Sequence, residues 1–279
     1  MILEQPTSTL TNEQNIWPGP HLALVIDSIR AGNTAGRVWH VLSPAHQLLW
    51  DQGNNVLYLA GNWDTPELRE ALQRLLTNHI RPQAQRIGRT YFKVHILGAM
   101  NEPLAFFRQP LIRLQLEPVT TRLYQFGQPR PIAAPALADL ALVPIDRTLL
   151  ETSQAVNIEL IREEIAWMWP SEMRFLSYGF GIAAVRGDEI ICWCTAEYLS
   201  AHKCGVGIST DPAYEGRGIA TATAARFVEE CRRRGILAYW ECTSANIKSQ
   251  RVAEKVGFTS LGEETYFAGL LAPFPDSAS

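Results

Sequence analysis

The most constraining stretch of this chain is Asp211-Pro212-Ala213-Tyr214-Glu215-Gly216-Arg217-Gly218-Ile219-Ala220-Thr221, because it joins two segments of different hydrophobic period. Before it, Gly205 to Thr210 reads as a strand. After it, Ala220, Ala224, Phe227, Val228 and Cys231 recur at i, i+4, i+7, i+8 and i+11, the apolar stripe of a helix. A glycine-rich turn that opens a helix leaves several backbone N–H groups unpaired and pointing one way. With the positive end of the helix dipole they form a site for a phosphate or pyrophosphate, and glycine lets the backbone approach the anion without an intervening Cβ. No Gly-Lys-Ser/Thr follows, so the turn is not a Walker A loop, and its G-x-G-x-A spacing departs from the dinucleotide fingerprint. Taken alone, the turn equally suits a plain strand-to-helix connection.

The flanking sequence extends the pattern. Arg232-Arg233-Arg234-Gly235 closes the helix, with cations at the negative dipole end and Gly as terminator. Ile236 to Cys242 reads as a strand, and Thr243 to Phe258 holds a capped helix ending in Gly257-Phe258. Upstream lie a strand at Leu140 to Ile145, a helix from about Ser153 to Trp169 ended by Pro170, and a hairpin of Phe180 to Arg186 and Glu189 to Tyr198 around Gly187-Asp188. Gly127 to Pro135 holds three prolines in nine residues and reads as a linker, which sets the expected domain boundary near residue 135. Before it come a strand at Val56 to Ala60 and a helix capped by Thr65, with Leu68, Ala71, Leu72, Leu75, Leu76 and His79 on one face. Strands at Tyr91 to Leu97, Leu111 to Leu116 and Arg122 to Phe126 complete a small α/β unit with no phosphate loop or nucleophile motif. His40, His46, His79 and His95 are scattered through it and read as structural or solvated.

Composition excludes several classes. A chain that is 47% hydrophobic and 19% charged is globular, and a net charge of −3 with no basic half argues against a dedicated nucleic-acid binder. No apolar run approaches the roughly 18 residues of a membrane span. Met1 to Pro20 lacks the basic and apolar regions of a signal peptide, so a cytoplasmic location is expected. The five cysteines, all in the C-terminal half, are odd in number and read as reduced thiols. Cys192 and Cys194 share a strand face with no His at ligand spacing, and no metal is expected.

Strand, Gly216-Arg217-Gly218-Ile219-Ala220 helix, strand, then Asn246-x-x-Ser249-x-x-x-Ala253-Glu254-Lys255-x-Gly257-Phe258 resembles, in order and separation, the GNAT superfamily of acetyl-CoA-dependent N-acetyltransferases. The resemblance covers about residues 137–270 and looks most like the two-part GNAT group with an N-terminal extension. It implies a mixed α/β (α+β) chain whose GNAT domain, 136–272, has a mixed, mostly antiparallel sheet with flanking helices. A smaller N-terminal α/β domain, 1–135, repeats the order strand, helix, strand and reads as a degenerate GNAT copy. Residues 273–279 are expected to form a disordered tail.

The same resemblance implies that acetyl-CoA, as co-substrate, lies with its pyrophosphate on the backbone of Glu215, Gly216, Arg217, Gly218, Ile219, Ala220 and Thr221, and its pantetheine arm along Ile208, Ser209 and Thr210. Glu215 stands where relatives carry Gln or Arg. Asn246 matches a cofactor-contacting position and also reads as a helix N-cap. Ala253 replaces the tyrosine acid of many relatives, which leaves Ser249 as candidate proton donor to the departing thiolate, or simply a solvent-facing serine. For the base, Glu241 and Glu197 are candidates and His202 a weaker one, since Cys204 occupies the position where some relatives carry Glu. Glu263 and Glu264 could attract a cationic amine. Trp167, Met168, Trp169 and Phe175 either wall the acceptor cleft or pack the core. Cys204 and Cys242 are the thiols to examine as acyl carriers. The expected reaction is direct acetyl transfer to a primary amine, on a small molecule or a protein, in a ternary complex. The alternative is a catalytically weak acyl-CoA-binding or regulatory module. No nucleic acid or membrane partner is expected, and a homodimer is compatible.

Overall fold

In a computed structural model the described residues are 1–10, 17–152 and 154–272. The expected tail at 273–279 and the helix start at Ser153 lie outside them. The chain forms two compact units: Met1–Ile26, Ala35–Thr120 and Thr265 onward make the first, Asp27–Thr34 with Thr121–Glu264 the second.

In chain order the elements begin with β1 (Ile2–Gln5), α1 (Pro20–Arg30), β2 (Gly36–Val41), β3 (Ser43–Asp51) and β4 (Val56–Asn62). Next come α2 (Pro66–Leu75), α3 (Arg81–Arg86), β5 (Tyr91–Ala99), α4 (Pro103–Phe107) and β6 (Leu114–Phe126). They continue with β7 (Leu140–Pro144), α5 (Arg147–Thr152), α6 (Ile158–Met168), α7 (Glu172–Tyr178), β8 (Gly181–Arg186) and β9 (Glu189–Glu197). The last are β10 (Lys203–Thr210), α8 (Ile219–Arg233), β11 (Leu237–Thr243), α9 (Ile247–Val256) and β12 (Phe258–Leu271).

The first unit pairs β1, β2, β3 and β4 antiparallel, sets β5 parallel to β4, and adds β12 antiparallel to β5. The second repeats this with β7, β8, β9 and β10 antiparallel, β11 parallel to β10, and β6 antiparallel to β11. A helical crossover, as parallel neighbours require, joins the parallel pair in each: α2 to α3 in the first, α8 in the second. The two units differ in how far the parallel pair runs. β4 and β5 stay paired from Val56↔Lys93 through Asn62↔Ala99, whereas β10 and β11 pair only from Lys203↔Leu237 to Gly205↔Tyr239. The first unit is closed by a glycine contact so tight that a Cβ on Gly98 would lie 2.0 Å from the Gly61 carbonyl oxygen.

Three sequence expectations are corrected. The units divide at Thr120/Thr121, inside β6, and not near residue 135. The proline-rich 127–139 is irregular but belongs to the second unit, where the Gly127 N–H donates to the Gly257 carbonyl at 3.1 Å and the Ala136 N–H to the Arg217 carbonyl at 3.0 Å. The two strands read around Leu111 to Phe126 are one strand containing Pro118. Pro118 lies before the first β6–β11 pair, Thr121↔Thr243, so its missing donor costs that ladder no hydrogen bond. The helix read from Ser153 begins only at Ile158, because Val156 pairs with Glu189 as an isolated bridge and Asn157 takes a left-handed φ of 72°. Its end agrees with the reading: Trp169, before Pro170, is extended.

In the second unit α8 covers one face of the sheet. Phe227 stacks on Phe180 with ring centroids 5.0 Å apart, and Cys231 Sγ lies 3.8 Å from Cys204 Sγ. Trp169 packs edge-on against Phe175 and its indole N–H donates to the Ala196 carbonyl at 3.0 Å. Met168, Trp169 and Phe175 are thus buried core, while Trp167 is exposed. Among the described residues no helix is long and apolar enough to cross a membrane, and no group of His, Cys, Asp or Glu has the arrangement to hold a metal.

Candidate functional site

Beyond Gly205 and Tyr239 the strands β10 and β11 part, while β10 stays paired with β9 as far as Thr210↔Cys192. The gap opens on a cleft of about 360 Å³ lined by Ile208, Thr210, Trp240, Asn246 and Ser249, together with most of the glycine-rich turn. Gly216 and Gly218 hold φ of 77° and 80°, the left-handed region that favours glycine. Gly218 is the N-cap of α8 and no side chain caps the helix, so its first-turn N–H groups stay available toward the cleft. A Cβ on Gly216 would meet no protein atom within 4 Å. Here the glycine serves the backbone conformation, and no packing neighbour demands it.

The structure brings most of the candidates for the cofactor together in this cleft and sets two of them, Ser209 and the Arg217 side chain, apart. Ile208 and Thr210 line the cleft, but Ser209 alternates to the opposite face of β10. The Arg217 side chain turns back, donating to the Ala213 carbonyl at 3.4 Å and lying over the Tyr214 ring. Glu215 lines the cleft and is ion-paired with Lys248 Nζ. Lys248, Arg251 and Lys255 share the rim, a feature that sequence reasoning missed although their i, i+3, i+7 spacing marks one face of α9. Trp240 was missed as well. Its buried indole N–H donates to Ser249 Oγ at 2.9 Å, and the Ser249 N–H donates to the N-cap Asn246 Oδ1 at 3.0 Å. Asn246 therefore both caps α9 and lines the cleft. With its oxygen engaged by Trp240, the Ser249 hydroxyl hydrogen is directed elsewhere. The hydroxyl bonds the Cys242 thiol, which burial pushes up and that hydrogen bond pulls down.

The opposite face of the second unit's sheet carries Glu197 on β9 and Glu241 on β11. Glu197 Oε1 lies only 2.2 Å from where a Cβ of Gly207 would stand, so its carboxylate rests on the bare backbone of β10 two residues past the last β10–β11 pair. Extending that register sets Glu241 across the gap from Gly207, and there the Thr121 hydroxyl donates to Glu241 Oε1 at 3.2 Å. The gap thus has carboxylates on one face and the Ser249 hydroxyl on the other. Glu263 is bound by Arg122 and Ser244, and the Arg122 guanidinium holds its carboxyl below the usual range. His202 is an exposed turn residue whose carbonyl accepts the Leu237 N–H. Cys204 is buried, and its contact with Cys231, reinforced by burial, pushes its thiol well up. Neither Cys204 nor Cys242 is held as the thiolate that an acyl carrier needs.

The sequence model of one family, described as GNAT acetyltransferase, matches residues 19–267. The uncharacterized N-acetyltransferase YdfB of Bacillus subtilis (strain 168) is 34% identical over 131 residues, 47% of this chain and 49% of that protein. The chain thus spans about half the length of this curated relative. Among solved structures, the GCN5-related N-acetyltransferase-like protein of Streptococcus suis 89/1591 has a TM-score of 0.61 at 16% identity, over 90% of this chain and 93% of that one. A GCN5-related N-acetyltransferase from Kribbella flavida has 0.51 at 10% identity, over 88% and 92%. These two likenesses concern the fold alone.

Proposed function

Because this chain belongs to the GNAT acetyltransferase family, we propose that it moves an acetyl group from acetyl-CoA to a primary amine by direct attack in a ternary complex. One observation carries the reading: β10 and β11 part after three pairs, directly above a helix whose N-terminus has glycines and no side-chain cap. The residues present fit acetyl-CoA. The first-turn N–H groups of α8 suit a pyrophosphate, the parted edge of β10 suits the amides of an extended arm, and Lys248, Arg251 and Lys255 suit the phosphates at the rim. The bound thioester supplies an activated acyl carbon. Glu197, or Glu241 across the gap, takes a proton from the ammonium so that the amine can attack, and the Ser249 hydroxyl gives a proton to the departing sulfur.

A binding module without turnover is the second reading, and Glu215 in an anion loop favours it. The ion pair with Lys248 answers that objection by neutralising the acid. Lys248→Ala is expected to weaken acetyl-CoA binding about five-fold, the scale of one exposed pair, and Glu215→Gln in addition to restore it. Calorimetric titration reads both variants.

The same titration, with dephospho-CoA as control, tests the reading itself. Acetyl-CoA should bind with a Kd below about 100 μM, and thiol release should follow on adding an amine. Absence of binding up to millimolar concentration would sink the reading. Ser249→Ala should lower kcat about ten-fold with the acetyl-CoA Kd intact, a modest loss because a thiol of pKa about 8.5 already leaves readily. A binder without turnover has no rate to lose.

A further inference from the structure

β9 carries Trp193, Thr195 and Glu197 at alternate positions on the face away from α8, while Cys192, Cys194 and Ala196 fill the other. Thr195 is 2% exposed and Trp193 7%, yet neither the Thr195 hydroxyl nor the Trp193 indole N–H has a hydrogen-bond partner among the described residues. Buried polar groups in folded proteins are almost always paired, and a group left bare loses its water without replacement. Val and Phe would fill the same space with nothing left over. Two bare buried groups at i and i+2, in line with a carboxylate at i+4, are polar positions that the atoms of a ligand would complete.

Their position says which ligand. Register sets Thr195 opposite Gly207 and Trp193 opposite Ser209. Thr195 Oγ1 and Glu197 Oε1 lean over the same glycine, 3.0 and 2.2 Å from where its Cβ would stand, at the edge of the gap between β10 and β11. We infer that this face of β9 is the acceptor subsite, and that it selects a primary amine carrying an amide or carboxyl oxygen, as the amino terminus of a peptide does. The inference rests on the acetyl-transfer reading.

An ammonium has donors only, and the Glu197 carboxylate with the Thr195 oxygen offers two acceptors at one point. The Trp193 indole is a donor only, so it requires an acceptor oxygen on the substrate. Side chains two apart on one strand face stand about 7 Å apart, which places that oxygen one to two peptide units from the nitrogen. The ammonium passes one proton to Glu197 before attack. The N–C bond then forms and the C–S bond breaks, and the second proton lost from nitrogen balances the one that the leaving thiolate takes up. A plain alkylamine satisfies Glu197 and Thr195 but leaves Trp193 bare.

Initial rates with glycylglycinamide and with hexylamine test this on the full chain. The wild type should favour glycylglycinamide in kcat/KM by about ten-fold or more. Trp193→Phe should raise KM for glycylglycinamide about ten-fold and KM for hexylamine by far less, which removes most of the preference. Thr195→Val should raise KM for both amines and leave the acetyl-CoA Kd in place. Equal effects of Trp193→Phe on both amines, or unchanged KM values in Thr195→Val, would overturn the inference. Should the wild type bind acetyl-CoA and acetylate other amines but not glycylglycinamide, this substrate class falls and the acetyl-transfer reading stands. Failure to bind acetyl-CoA at all removes both.

Discussion

Glu197→Gln is expected to lower kcat/KM for an amine acceptor by about 10²- to 10³-fold while acetyl-CoA binds as before. The substitution keeps the side chain's size and an oxygen acceptor but removes the ability to take a proton. The groups suited to the cofactor lie elsewhere: the glycine turn, the basic rim and Ser249 line the cleft, and Glu197 does not. The amine therefore loses its base without the cofactor losing a contact. Glu241→Gln should cost less than about ten-fold, because the Glu241 carboxylate already accepts the Thr121 hydroxyl, an attachment that Gln reproduces. Rate measurements across pH with both variants decide the assignment. Without its base Glu197→Gln can use only amine already deprotonated in solution, so its rate should keep climbing with pH toward the amine's own ionisation, while Glu241→Gln should keep the wild-type profile; the reverse would transfer the role of base to Glu241.

What could be read in the sequence was whatever is dictated locally. The left-handed φ of Gly216 and Gly218, the capping by Asn246 and the helical phase of Ser249 are each fixed by a few neighbouring residues, so motif order alone indicated the fold class and the anion loop. Pairing between distant segments was not legible. Glu215 departs from the Gln or Arg of relatives, and nothing in the sequence joins it to its partner Lys248, 33 positions away. Nothing in the Val156 side chain announces a bridge to Glu189, so the sequence carries no sign that the helix starts only after it. Prolines marked 127–135 as irregular, which it is, but they carry no information on whether a segment packs. The hydrogen bond from the Ala136 N–H to the Arg217 carbonyl ties it to the glycine-rich turn. β6 and β12 could not be placed either, since each is divided between the two units. The same limit hid Gly207: only the register of β9 against β10 sets it opposite Thr195, where the diagonal Glu197 carboxylate reaches over it.

Gly207→Ala turns that register into the most discriminating test of the site. The backbone at Gly207 lies outside the left-handed region, so alanine is compatible with it. The new methyl would stand 2.2 Å from Glu197 Oε1, 2.9 Å from Glu197 Cδ and 3.0 Å from Thr195 Oγ1. These atoms belong to side chains that can swing aside, so the strand keeps its place and the carboxylate moves by an ångström or more. Thermal stability should change little, and the acetyl-CoA Kd should hold. kcat should nonetheless fall about 10²-fold, the usual consequence of misplacing a reacting group by about 1 Å. The double variant Gly207→Ala/Glu197→Gln separates this cause from any other. If the methyl acts only by moving the carboxylate, the double variant is no slower than Glu197→Gln alone, since a displaced glutamine has no base function left to lose. Losses that multiply would mean that Gly207 acts through a group other than Glu197, and the carboxylate over β10 would cease to be the base.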